Sequence, residues 1–105
     1  MTGIVRDEDD LAVFERAAEV FTVLATASRL RILNTLCHGE KCVGELVSAV
    51  ALPQPSVSQH LSTLFRAGLV ARRREGAQVY YKVEPKTRGF LCRAVHTLVQ
   101  QQREA

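Results

Sequence analysis

Four amphipathic helical stretches, a basic hairpin and a fifth helical stretch predict a mainly α (α+β) fold carrying one two-stranded β-ribbon. Three observations lead there. Apolar residues recur at helical spacing on both sides of a short alternating region. That region, residues 69–83, changes to a period of two around Gly76. Between the third and fourth helices, PQPSVSQHL (53–61) sets two prolines ahead of a fresh apolar stripe. A chain of 105 residues supports one domain, here 1–105, and its 47% apolar and 24% charged fractions are those of a globular protein.

The first helix is predicted over 8–25, with Leu11, Phe14, Ala18, Phe21 and Ala25 on one face. Asp9 or Asp10 is placed to cap it, and acids in its first turn suit the helix dipole. Thr26-Ala27-Ser28 interrupts the pattern, and Ser28 is the expected cap of a second helix. There Leu30, Leu33 and Cys37 share a face, and His38-Gly39 stops it. VGELVSAV (43–50) makes a third, short helix. Leu52-Pro53 forces a tight connection, because a residue before proline is pushed out of the helical region. Pro53 and Pro55 then suit a helix start, where a missing N–H costs nothing. Val57, Leu61 and Leu64 follow on one stripe, and Gly68 closes the helix. In the hairpin Val79, Tyr81 and Val83 fall on one side, Gln78, Tyr80 and Lys82 on the other. A last helix follows Pro85, with Leu91, Ala94, Val95 and Leu98 in register.

Charge is unevenly spread. Residues 1–50 carry 5 basic and 8 acidic side chains, a net of −3; residues 51–105 carry 9 and 3, a net of +6. The second half is where a polyanion should bind. No apolar run approaches the ~20 residues of a membrane span, and MTGIVRDEDD has the charge pattern of no secretory leader. A cytoplasmic location without membrane association is expected. No phosphate-binding loop, paired carboxylates or nucleophile elbow is present, so an enzyme is not expected. Three cysteines (Cys37, Cys42, Cys92) are an odd number, against a secreted disulfide framework. In a reducing compartment they are expected as thiols that pack, bind metal or sense redox state.

Two short helices in a tight turn, the second running into a basic hairpin, make a winged helix-turn-helix. Its recognition helix must bury Val57, Leu61 and Leu64 to be held rigidly. Its other face must offer short groups that donate and accept hydrogen bonds. Gln54, Ser56, Ser58 and Gln59 do so: glutamine pairs bidentately with adenine, and serine serves a base edge or a phosphate. His60 lies at the edge of the buried stripe, either packed or on a phosphate. Arg72, Arg73 and Arg74 lead into the glycine turn, and alternation leaves one or two of them for phosphates or the minor groove. Double-stranded DNA is the expected partner; a winged helix that binds protein is the alternative.

ATASRLRILNTLCHGEKCVGEL followed by LPQPSVSQHLSTLFRAGLVARRREGAQVYYKV resembles the ArsR/SmtB family of bacterial winged-helix repressors over about residues 20–83. The resemblance implies a homodimer, built largely from the first and last helices, that binds a near-palindromic operator until an inducer releases it. The stripes at 11–25 and 91–98 suit that role on their own account, since so short a chain can scarcely bury both. The family's thiolate site for soft metals or arsenite needs paired cysteines; in EKCVGEL Cys42 matches the first, and Gly44 replaces the second. Its zinc site on the last helix needs acids and histidines, of which residues 86–104 hold only His96 and Glu104. Other members sense persulfides or oxidants through cysteines in the second and last helices, where Cys37 and Cys92 lie, several residues from the usual positions.

The cysteines leave several constructions open. Cys37 and Cys42 could form a dithiol or, with Cys92, a three-thiolate site for arsenite or another soft ion. A pair could form a reversible disulfide or polysulfide bridge. Cys92 and His96 are spaced to share a metal. Against these, Cys37 reads mainly as a core residue, whereas Cys42, after Lys41 and near a helix N-terminus, is placed for a lowered thiol pKa and is the expected sensing thiol. The expected inducer is thiol-directed: a soft metal(loid), or reactive sulfur or an oxidant.

Overall fold

Thr26, two residues ahead of the expected Ser28, starts the second helix. Its extended backbone (φ −131°, ψ 139°) lets its hydroxyl accept the Arg29 N–H at 3.2 Å. Ser28 lies inside the helix. Both residues are good caps; the tight turn after the first helix decides between them, since the Ala25 N–H already returns to the Thr22 carbonyl. A computed structural model describes residues 7–105, with side chains from Asp10 onward. The elements are α1 (Asp7–Leu24), α2 (Ala27–Leu36), β1 (Lys41–Cys42), α3 (Val43–Val50), α4 (Gln54–Arg66), β2 (Val70–Glu75), β3 (Gln78–Val83) and α5 (Pro85–Glu104). The possible cap Asp9 lies outside the described side chains. Asp10 leaves helical geometry (φ −122°, ψ 20°), so the regular part of α1 runs from Leu11.

The helical arrangement matches the sequence, and the sheet is larger by one strand. Lys41 and Cys42 pair antiparallel with Tyr81 and Tyr80, giving the order β1-β3-β2. A two-residue strand carries no period of its own, and only its partner across the fold makes it one. The β2–β3 hairpin pairs Val70 with Val83 through Glu75 with Gln78. Its two-residue turn needs the left-handed φ of 63° at Gly76.

One core joins the elements: Ile32, Leu33 and Leu36 of α2, Leu46 and Val50 of α3, Val57, Leu61 and Leu64 of α4, Val70, Tyr81 and Val83 of the sheet, and Leu91 and Val95 of α5. The buried stripe of α2 is therefore Ile32-Leu33-Leu36, with Leu30 and Cys37 at its half-buried edge. The helix is turned to meet α3 and α4 on one side and α5 on the other.

Two caps fix the recognition unit. Ala51 turns left-handed (φ 54°, ψ 45°) after α3, and Arg31 caps that helix by donating to the Val50 carbonyl at 2.7 Å. At the end of α4 the Gly68 N–H bonds the Phe65 carbonyl and the Leu69 N–H bonds the Leu64 carbonyl, both at 3.0 Å. This paired closure needs the positive φ of Gly68 (77°). It aims β2 directly out of the recognition helix. No described helix is long and apolar enough to cross a membrane.

Candidate nucleic-acid interface

The side of α4 that turns away from the core begins at its N-terminus. Gln54 and Gln59 are exposed, and Ser56 and Ser58 are half-buried beside them. Among the described residues none of these four side chains makes a hydrogen bond within the chain. Ser62, Thr63 and Arg66 continue the face of Gln59 at i+3, i+4 and i+7. Sequence reasoning passed over them, although the spacing that found the buried stripe also identifies its opposite. Thr63 Oγ1 donates back to the Gln59 carbonyl at 3.2 Å.

His60 is half-buried and already engaged. Its Nδ1 accepts from Arg29 Nε at 3.3 Å, while Arg29 Nη1 donates to the Val23 carbonyl at 2.8 Å. One guanidinium thus ties the end of α1 to the recognition helix. His60 is packed against Arg29 within the chain.

The three wing arginines have three environments. Arg72 lies over the Phe65 ring at 3.9 Å, a cation–π contact that braces β2 against the end of α4. Arg73 points to the other face. Its Nε and Nη2 grip both carboxylate oxygens of Glu40 at 3.0 and 2.9 Å, its Nη1 bonds Glu75, and it covers the Tyr80 ring at 4.8 Å. The guanidinium holds the Glu40 carboxyl below the ordinary carboxylate range, and the two carboxylates raise Arg73 further. Arg74 is exposed near the hairpin tip. The tyrosines divide as expected: Tyr81 is buried under the hairpin, and Tyr80 is half-buried beneath Arg73.

The cysteines do not gather into one three-thiol cluster. Cys37, at the C-cap of α2, is disulfide-bonded to Cys92 of α5, with Cα atoms 5.7 Å apart across 55 residues of sequence. The expectations of a Cys37–Cys42 dithiol and of free thiols at all three positions are corrected accordingly, while Cys37 does pack against the edge of the core as expected. α5 crosses the end of α2, and Arg88 Nη2 donates to the Cys37 carbonyl there at 2.7 Å. The Cys92 sulfur is spent in this bond, so it shares no metal with His96. Cys42 is the free cysteine, half-buried at the start of α3. Its N–H donates to Glu45 Oε1 at 2.9 Å, which keeps the Glu45 carboxyl low. Among the described residues no group of three or more His, Cys, Asp or Glu is placed to hold a metal ion.

A family profile described as bacterial regulatory protein, arsR family, matches residues 26–72, the span from the α2 cap into the wing. The biofilm growth-associated repressor of Agrobacterium fabrum is 37% identical over 90 residues, 83% of this chain and 77% of that protein. The chain belongs to the arsR family of bacterial regulatory proteins. The family is one of DNA-binding regulators of transcription, not enzymes. A second relative, the HTH-type transcriptional regulator KmtR of Mycobacterium tuberculosis, is 47% identical over 66 residues, 63% of this chain and 51% of KmtR. The chain thus spans about half the length of KmtR. The solution structure of a homodimeric winged helix-turn-helix domain from Mycobacterium bovis, a possible ArsR-family regulator, superposes with a TM-score of 0.79. It is 30% identical, with 99% of this chain and 94% of that one covered.

Proposed function

We propose that this ArsR-family regulator is a cytoplasmic homodimeric repressor whose hold on a palindromic operator is set by the thiol–disulfide state of Cys37 and Cys92. The disulfide itself carries the reading. In a reducing compartment such bonds are rare, and those that exist are usually transient, catalytic or redox-sensing. This one joins α5 to α2, and α2 packs directly on the two helices of the DNA-binding unit. Two thiols that close the bond release two protons and two electrons; a peroxide accepts them and leaves as two waters. A sulfane sulfur donor drives the same closure by first adding sulfur to one thiol, which the other then displaces as sulfide.

Dimerisation is supported by the apolar residues the single chain leaves in water. Phe21, Phe90, Leu98 and Leu11 are 69%, 67%, 57% and 62% exposed. Between α1 and α5 lies an apolar groove of about 450 Å3 lined by Phe21, Leu24, Leu91 and Leu98 among others. Exposed apolar surface on that scale marks an interface, and the Mycobacterium bovis domain is homodimeric. Two copies related by a twofold present two recognition helices to successive half-sites. Gln54, Ser56, Ser58 and Gln59 then meet base edges and phosphates, and Arg72 and Arg74 meet the backbone.

The test is a titration of reduced protein against a duplex selected by it from a random pool, repeated after peroxide, persulfide and arsenite. Oxidation is expected to weaken wild-type binding tenfold or more in round terms, a typical allosteric coupling. Cys92→Ser is expected to bind as reduced wild type does under every condition. A Cys92→Ser protein that still responds to peroxide removes the assignment. Binding that ignores salt assigns the winged helix to a protein partner instead.

A further inference from the structure

We infer that Arg73 is a positioning residue that clasps the wing to the segment leaving Cys37, and does not itself grip DNA. Transmission of the disulfide state to the wing presupposes the redox reading above; the clasp stands on geometry. All three guanidinium nitrogens of Arg73 have carboxylate acceptors, two on Glu40 and one on Glu75, and its face lies on Tyr80. Lys82 lies on the same face and acts on Glu40, so two positive charges stand against the two carboxylates and this side of the wing has no net charge to attract a phosphate. Arg72, by contrast, stacks on an uncharged ring.

Glu40 is three residues beyond Cys37. His38 and Gly39, the latter at φ 141°, turn the chain, and Glu40 leads into β1. β1 pairs only with β3, so Cys42, Tyr80 and Arg73 form one row across the three strands. Glu40 reaches over that row to β2, tying the outer wing strand to the segment that enters β1, a strand β2 does not touch through the ladder. Opening of the Cys37–Cys92 bond removes the covalent tie between the α2 C-cap and α5 and leaves only the Arg88 hydrogen bond to the Cys37 carbonyl. The segment from His38 to Cys42 carries that loosening to the wing through Glu40. A two-toothed ion pair on an aromatic ring holds one geometry, which ordinary exposed ion pairs do not.

Full-length Glu40→Gln, Arg73→Gln and the double variant, with Arg74→Gln for comparison, are titrated by fluorescence anisotropy against the selected duplex. Each is measured at several salt concentrations, reduced and oxidised. Arg73→Gln is expected to keep the wild-type dependence of log affinity on log salt, whereas Arg74→Gln flattens it by about 0.9. Each clasp variant is expected to cut the reduced-to-oxidised affinity ratio by about threefold, and the double variant to cut it no further, because one interaction is lost in all three. A salt slope that falls by about 0.9 in Arg73→Gln, or a double loss equal to the product of the single losses, overturns the clasp. A wild-type ratio of one defeats the redox reading alone. The clasp is then judged by the salt slope and by whether the losses in reduced affinity are shared or multiply.

Discussion

Arg72, Arg73 and Arg74 are chemically identical neighbours, and what distinguishes them is the face each occupies and what it touches there. Alternation along β2 was readable, so the sequence showed that the three would diverge. It could not show that Glu40 lies opposite Arg73, because 33 residues separate them. Gln59 has the opposite standing, exposed, uncharged and aligned with Ser62 and Arg66. Gln59→Ala is expected to reduce the preference for the selected duplex over random DNA by roughly ten- to a hundredfold, the value of one bidentate base contact, with the salt slope unchanged. Competition binding against random duplex measures it. The lowered carboxyls of Glu40 and Glu45 give an acid limb to stability. A carboxylate whose folded pKa is depressed stabilises the fold above its unfolded pKa, near 4.5, and loses that contribution as pH falls through the folded value. The melting temperature is therefore expected to fall below about pH 4.5, and less steeply in a Glu40→Gln, Glu45→Gln variant.

The elements themselves were legible where signals are local. α3 spans the residues its apolar pattern marks, and the wing turns at Gly76. Two features were not legible for the same reason. β1 exists only because β3 lies beside it, and the cap of α2 was settled by the turn that ends α1. The choice of cap makes a clean test. Thr26→Ala is expected to cost about 1 kcal/mol, the usual loss when a capping hydroxyl is removed, while Ser28→Ala stays within about 0.5 kcal/mol. Urea unfolding at constant m-value measures both. Leu61, fully buried in the middle of α4, sets the upper end of the scale. Leu61→Ala is expected to cost about 2–5 kcal/mol, and to weaken DNA binding through a loosened recognition helix.

At the scale of the molecule, the apolar surface and the disulfide act on the same helix. α5 buries Leu91 and Val95 inward and leaves Phe90 and Leu98 outward, so anything that shifts α5 against α2 also shifts what it offers a second copy. The sequence announced the outward stripe through sheer excess of apolar residues. It left the pairing of cysteines open, because sequence spacing does not report which helices cross. That arrangement predicts a separation of effects. Phe21→Lys with Leu98→Lys puts two charges into the groove between α1 and α5 and removes nothing from the core. Sedimentation is expected to show a monomer whose melting curve still has one transition. Its affinity for a single half-site is expected to stay near that of wild type, while the advantage of a second half-site, which linked recognition helices raise by a factor on the order of a hundred or more, disappears. Because each monomer retains both cysteines, oxidation still closes Cys37–Cys92 in the variant. If oxidation acts by changing the geometry between two copies, the half-site affinity of the monomer is indifferent to it. A monomer that loses half-site binding on oxidation to the same extent as the dimer loses the full operator places the switch inside one protomer, at the wing and the recognition helix.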